Sequence, residues 1–471
     1  MRYPKILFAF TGLVCLMFSC ATSRMSGEAW QSTAEPLREM EKIRKLIKAP
    51  VFPARDFLVT SYGAIGDGKT MNTEAFRKAI EDCHKNGGGR VVVPLGKFLT
   101  GAIHLKSNVN LHMVDSTTIL FSSDPKDYLP LVFTRWEGME LMNYSPLIYA
   151  YGQENIAITG NGTLDGGANA TNWWAWNAGR PSKQVPARDS LHALNHLQTD
   201  PRTRIFGEGF FLRPNFIQPY NCKNILISGP HIVGSPMWIV NPVLCENVTI
   251  ENLRIISHGS NNDGVDPESC KNVLIRNCYF DTGDDCIAIK SGRDDDGRRI
   301  NRPAENHIIE NCEMRDGHGG VVIGSEISGG AKNIYAINCK MNSPNLDRIL
   351  RLKTSSSRGG IIQNVFMKDV EVGTYRDAAV HINMFYEKPG AFMPTIRNIW
   401  VENMNVEKGG DFAVFVNAYE NSPVQNLRLV NCVFKGVKTP IKVDYVKNFQ
   451  LQNVTINGSP AVVPPATTIK K

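Results

Sequence analysis

Acidic residues gather at two places in the second half of the chain. Asn261-Asn262-Asp263-Gly264-Val265-Asp266 and Gly283-Asp284-Asp285-Cys286 each put carboxylates on a turn that follows an apolar stretch. Further on, Gly317-His318-Gly319 and Arg351-Leu352-Lys353 supply an imidazole and two cations. Carboxylates crowded into one groove repel one another, which leaves at least one of them protonated near neutral pH while its neighbours stay ionised. A protonated acid beside an ionised carboxylate can break a glycosidic bond, one protonating the leaving oxygen and the other activating water. Arg and Lys nearby suit a carboxylate on the substrate, Arg through its bidentate fork. The residue types therefore point to hydrolysis of an acidic sugar, provided the four segments meet.

A repeat makes them meet. A phrase of Asn followed by alternating apolar residues recurs with its leading Asn at 224, 247, 272, 306, 333, 364, 398, 426 and 448, in steps of 22 to 34 residues. That period means stacked coils rather than separate globules. The alternation predicts β-strands, and the Gly, Asn, Asp and Pro between phrases predict turns. No helix-length amphipathic segment separates these strands, which excludes βαβ winding, and the two-residue turns of a hairpin sandwich are missing. The fold class expected is all-β, a right-handed parallel β-helix, with the recurrent Asn forming an amide ladder from coil to coil. Residues one coil apart then lie about one strand spacing apart, ~4.8 Å. Asp263, the Asp284-Asp285 pair, His318, and Arg351 with Lys353 are thereby predicted to project from four successive coils onto one wall.

The ends of a solenoid need covering. Residues 72–87 predict a capping helix with Asn72 or Thr73 as N-cap, Phe76, Ala79, Ile80 and Cys83 on one face, and Gly87 as terminator. The segment 165–215 breaks the rhythm with Trp173, Trp174 and Trp176, and is a candidate binding loop. Met384 and Phe385 read as strand core, whereas Tyr386 fits either the core or a place over a sugar face.

The formal charge of +7 is spread along the chain, so nucleic-acid binding is not expected. Residues 1–20 have the basic start and short apolar run of a secretory signal, and Leu16-Met17-Phe18-Ser19-Cys20 resembles a bacterial lipobox. The expected organisation is a lipoprotein-type signal at 1–20, a tether at 21–50 with charged helical patterning over Glu35 to Lys48, one β-helix domain at 51–460 and a short tail at 461–471. The expected location is the periplasm or outer membrane, with membrane contact only through a lipid on Cys20. Beyond Cys15 and Cys20, nine cysteines remain, five of them after an Asn in the repeat, and they read as solenoid core. CxxC spacing is absent, and Asp294-Asp295-Asp296-Gly297 lacks the ligand spacing of a calcium loop and reads as a solvated loop. No metal or other cofactor is expected.

At these four motifs, and over most of the chain from about Phe57 onward, the sequence resembles glycoside hydrolase family 28, the polygalacturonases and related pectin hydrolases. The resemblance implies inverting hydrolysis of α-1,4-galacturonosyl linkages. It implies Asp284 as general acid, Asp263 and Asp285 as activators of water, and His318 as support for the acid. It also implies Arg351 and Lys353 as holders of the galacturonate carboxylate, with Asn261 and Gly317 shaping the backbone; Asn261 and, from its own residue type, Tyr386 complete the expected substrate-binding set. Asn262 departs from the Thr usual in the first motif. The long loop after Gly283–Cys286 and the 165–215 insertion resemble exo-acting bacterial members. Rhamnogalacturonan or xylogalacturonan hydrolysis and endo action remain as alternatives within the family, and a pectate lyase or a non-catalytic glycan-binding β-helix outside it. The expected partner is a pectic polysaccharide or oligogalacturonide, bound by a monomer.

Overall fold

The computed structural model describes residues 29–465. Its strands stack coil upon coil in parallel register as a β-helix. The leading Asn of each phrase takes the left-handed conformation, with φ of 54° at Asn224, 57° at Asn247 and 59° at Asn272. Asn tolerates that geometry better than other non-glycine residues. Each side-chain amide also donates to the Asn one coil below: Asn247 to Asn224 at 3.2 Å, Asn272 to Asn247 at 3.2 Å, Asn306 to Asn272 at 3.0 Å and Asn333 to Asn306 at 3.0 Å. The expected ladder is thus continuous beneath the functional coils. The nine cysteines of the described residues are all buried, and most stack one above another inside the solenoid.

One face of the solenoid is a six-stranded parallel sheet: β1 (Ile287–Ile289), β2 (Val321–Ile323), β3 (Arg348–Lys353), β4 (Ala378–Asn383), β5 (Phe412–Asn417) and β6 (Thr439–Asp444). Residues at alternate positions, such as Ile287, Val321, Leu350, Val380 and Val414, enter the core. The positions between them form the outer wall.

Helix α1 (Ala34–Arg44) lies within the stretch read as a tether, and the structure corrects that reading for residues 29–44. Trp30, Met40 and Ile43 are buried against Leu274, Ile308, Tyr335, Phe366 and Trp400, which stack along the outside of successive coils. The charged pattern conceals this narrow apolar stripe. Helix α2 (Thr73–Lys85) buries Phe76, Ala79, Ile80 and Cys83, the face expected of the cap, and Gly87 follows it at φ 83°. Asn72 does not cap it through its side chain. Its amide bridges instead to Ile65 N at 2.7 Å and Leu99 O at 3.1 Å, tying the helix entry to the first coil. Cys20 and the signal segment lie outside the described residues, as does most of the tail.

Two further helices cover the wall. Helix α3 (Val185–His196) lies within the 165–215 insertion. Helix α4 (Asp294–Ile300) occupies the run read as a solvated loop, and that reading is corrected too. Asp294 and Asp296 are buried because Arg358 pairs with the first at 2.6 Å and Arg204 with the second at 2.7 Å. A solvated fate was the natural expectation for three consecutive like charges. Arginines distant in sequence neutralise two of them.

Candidate active site

The four motifs converge on the outer wall. Asp263, Asp284 and Asp285 each place an oxygen within 4.8 Å of the others. Asp284 is the accessible member, with 20% of its side chain exposed, while Asp285 is sealed. His318 Nδ1 lies 2.9 Å from Asp284 Oδ1, and its backbone N–H donates to Asp284 O at 3.1 Å. Arg351 donates to Asp285 Oδ1 at 3.2 Å and Lys353 to Asp285 Oδ2 at 2.7 Å. The ring of Tyr386 stands 5.4 Å from the Arg351 guanidinium and 5.2 Å from Lys353 Nζ and is half exposed, so it lines the groove. Met384 is core, as expected, whereas Phe385 is exposed.

Coil stacking makes the flanking glycines necessary. A Cβ on Gly317, at φ 151°, would stand 2.5 Å from Asp284 O, and one on Gly319 would stand 2.4 Å from Val322. Asn262 is fully buried, accepts from Ser257 Oγ and Gly259 N, and donates to the carbonyls of Ser235 and Met237. It fastens the turn that aims Asp263. Asn261 is half-buried at the rim and its Oδ1 is already engaged, accepting from Arg213 at 2.8 Å and Asn177 at 3.2 Å. It anchors the insertion to the catalytic turn.

Asp263 and Asp285 are driven apart in proton affinity. Burial, reinforced by Asp284, raises Asp263 to about 7 against the pull of Lys290. Burial also opposes ionisation of Asp285, but the adjacent Lys353 and Arg351 outweigh it and lower that carboxyl to about 2. The hydrogen bond to Asp284 raises His318, with burial acting against it.

Sequence reasoning missed a second row of charge beneath the first. Lys290 is buried, with Nζ 3.5 Å from Asp263, 3.5 Å from Asp266 and 3.3 Å from Glu326, and 4.3 Å from the Trp238 ring centre. Burial disfavours its charge, yet Glu326, Asp263 and Asp266 together push its pKa well up. Asp266 is fully buried, and burial plus the neighbouring Asp263 push its carboxyl well above the usual range, so it keeps its proton. A weak signal existed. Lys290 ends the apolar Ile287-Ala288-Ile289 alternation on the outward phase, one coil above Glu268.

The wall is closed on one side of Asp284. The bridges joining Ile217, Val240, Val265 and Ile287 set the register of the coils below β1. The outward residues one position on, Gln218, Asn241 and Asp266, have no exposed surface. A hairpin of Val132–Trp136 and Met139–Asn143 lies over them. Gln218 Nε2 donates to Arg135 O at 3.0 Å, and the buried Arg135 pairs with Glu268 at 3.2 Å and Glu140 at 3.6 Å. Trp136, Met139 and Leu141 of the hairpin pack with Leu191 of α3 and with Met237 and Trp238. Trp174 from the insertion reaches Ser235 O at 2.8 Å. The insertion read as a binding loop therefore acts first as part of a cover, with Trp173 buried.

The wall of this parallel β-helix thus carries an accessible carboxyl, a sealed ionised one and a third that holds a proton, the equipment of a carbohydrate-cleaving enzyme. The profile of glycosyl hydrolases family 28 matches residues 211–462. A probable polygalacturonase of Vitis vinifera is 30% identical over 373 residues, covering 74% of this chain and 68% of the relative. An exo-poly-alpha-D-galacturonosidase of Dickeya chrysanthemi is 25% identical over 440 residues, covering 85% and 70%. The crystal structure of a hyperthermoactive exopolygalacturonase from Thermotoga maritima superposes with a TM-score of 0.87 at 43% identity, covering 90% of this chain and 96% of that one. The chain belongs to glycoside hydrolase family 28.

Proposed function

We infer that this glycoside hydrolase cleaves α-1,4-galacturonosyl linkages of pectic galacturonan and releases short products from a chain end. The observation that carries the reading is an accessible Asp284 beside an Asp285 clamped by Arg351 and Lys353. The names of the relatives and the closed end of the wall support exo action.

In this reading Asp284, the only one of the three carboxyls with appreciable exposure, protonates the leaving glycosidic oxygen, and His318 orients it and shares its proton. Asp285 stays ionised because two cations face it, and it takes the proton of the attacking water, which Asp263 helps to hold by hydrogen bonding. Lys290, 3.5 Å from Asp263, limits how far burial raises that carboxyl. Arg351 Nε is buried with no partner among the described residues, and Tyr386 flanks the guanidinium on the groove side.

Inversion places the water between Asp263 and Asp285. The nearest oxygens of the triad lie within 4.8 Å, closer than the roughly 6.5–9.5 Å between the two carboxyl groups of a common inverting site. The anomer of the fresh product is therefore part of the test. A digest of polygalacturonate followed by chromatography and proton NMR should give mono- or digalacturonate from the first minutes, as the β-anomer. An early ladder of intermediate oligomers would reject exo action, and α-anomeric product would reject inversion.

The basic and apolar start of the chain is taken as an export signal with lipid attachment at Cys20, which suits a polymer substrate found outside cells. The exposed solenoid is taken to work as a monomer.

A further inference from the structure

The outward stripe that is sealed below Asp284 stays buried through Arg351 and His381 and becomes accessible at Phe415 and Lys442. Strand register aligns Arg351 of β3 with His381 of β4, Phe415 of β5 and Lys442 of β6. Phe415 is half-buried and Lys442 is exposed. The imidazole of His381 stacks on the Phe415 ring at 4.9 Å and 11°, and Lys442 Nζ stands 5.6 Å from the same ring. Among the described residues Lys442 forms no ion pair. The neighbouring outward stripe runs Lys353, Asn383, Asn417, Asp444, so amides border the ring. His381 is 93% buried and its Nδ1 has no hydrogen-bond partner among the described residues. Burial, Arg348 and Arg351 lower its pKa to about 3, so it sits there as a neutral imidazole beside the cations.

A galacturonan chain whose end lies at the closed side extends, along the coil axis, toward the coils of Phe415 and Lys442. We propose that Phe415 and Lys442 form a distal subsite for the polymer beyond the scissile bond, with a sugar face on the Phe415 ring and a uronate carboxylate on Lys442. The proposal rests on the galacturonan reading and extends it. Lys442 lies three strand spacings from Arg351, ~14 Å, so short oligomers bound at the catalytic coil end before reaching it. The chemistry matches an alternating demand of the ligand, a flat apolar ring face and a regularly repeated anion. Neither residue touches the triad, so the subsite would set preference for long chains without changing bond cleavage itself.

The test compares kcat/KM on digalacturonate and hexagalacturonate for the parent chain, Phe415→Ala and Lys442→Ala, with melting temperature recorded for each. Phe415→Ala should lower kcat/KM on hexagalacturonate about tenfold, as expected for one aromatic contact. Lys442→Ala should lower it about three- to fivefold, the size of an exposed ion pair. Both losses should appear mainly in KM, leave digalacturonate unchanged, and shrink for Lys442→Ala as salt is added. Equal losses on both lengths, or no loss on hexagalacturonate from either variant, would overturn the proposal. Failure of the hydrolase reading shows separately, as no turnover of any length by the parent. Calorimetric binding of hexagalacturonate then still decides: weaker binding by the two variants supports the subsite, and equal or absent binding overturns it.

Discussion

The opposite proton affinities of Asp263 and Asp285 make a signed prediction about stability. In the folded chain Asp263 keeps its proton up to about pH 7, whereas in the unfolded chain it loses it near 3.8. Between those values the folded state binds more protons, so the contribution of Asp263 is fully present below pH 3.8 and is lost as pH rises through about 7. The rise from 3.8 to about 7 corresponds to about 4 kcal/mol. Asp263→Asn cannot ionise and escapes that loss. Its stability relative to the parent should therefore climb by up to about 4 kcal/mol between pH 4 and pH 8, seen as a melting-temperature gap that moves in the variant's favour. Asp285 has the reverse sign. Its pKa falls from 3.8 to about 2, so it contributes about 2 kcal/mol above pH 3.8 that is lost only in stronger acid. Asp285→Asn should be less stable than the parent by a nearly constant margin from pH 5 to pH 8, because Arg351 and Lys353 lose their buried partner. The assay is differential scanning calorimetry of the three chains at fixed scan rate and ionic strength, from pH 4 to pH 8. A flat gap for Asp263→Asn, or one that moves against the variant as pH rises, would refute the reasoning.

Further outcomes follow from the same contacts. Asp284→Asn should lower kcat by about 10²- to 10⁴-fold, the usual worth of a general acid, while hexagalacturonate binding by calorimetry stays within a few-fold. Arg351→Lys keeps the charge but loses the fork, and kcat/KM on galacturonate oligomers should fall roughly tenfold or more. Trp30 is buried against Tyr335 and Phe366 at ring separations of 6.2 and 6.1 Å. Trp30→Ala should cost about 3–5 kcal/mol of docking, read as faster proteolysis within α1 with kcat unchanged.

The coils and the wall were legible because every coil solves the same local problem in the same way. A left-handed Asn begins each strand phrase, and one-per-coil stacking turns sequence spacing into spatial adjacency, which is enough to bring Asp263, Asp284, Asp285, His318, Arg351 and Lys353 together. The covers were not legible, since their partners are far apart and follow no period. Asp296 meets Arg204 across 92 residues and Glu140 meets Arg299 across 159. The hairpin over Gln218 has ordinary strand composition, and nothing local says that it folds back over the groove. Lys290 was overlooked, and the burial of Asp266 unforeseen, for a related reason. Lys290 looks like an exposed polar position on a strand and Asp266 like a solvated turn residue, and nothing local says that either is buried. The proton near neutral pH was expected on at least one carboxyl, and burial beside Asp284 puts it on Asp263, raised to about 7.

The most direct measurement of the central claim is a crystal structure of Asp284→Asn bound to hexagalacturonate. The account predicts a scissile glycosidic oxygen about 2.6–3.2 Å from the side chain at position 284, a uronate carboxylate on Arg351, the chain end under the hairpin, and the remaining sugars running over Phe415. A ligand that lies along another face, or passes the triad with its glycosidic oxygens out of reach of position 284, would contradict it.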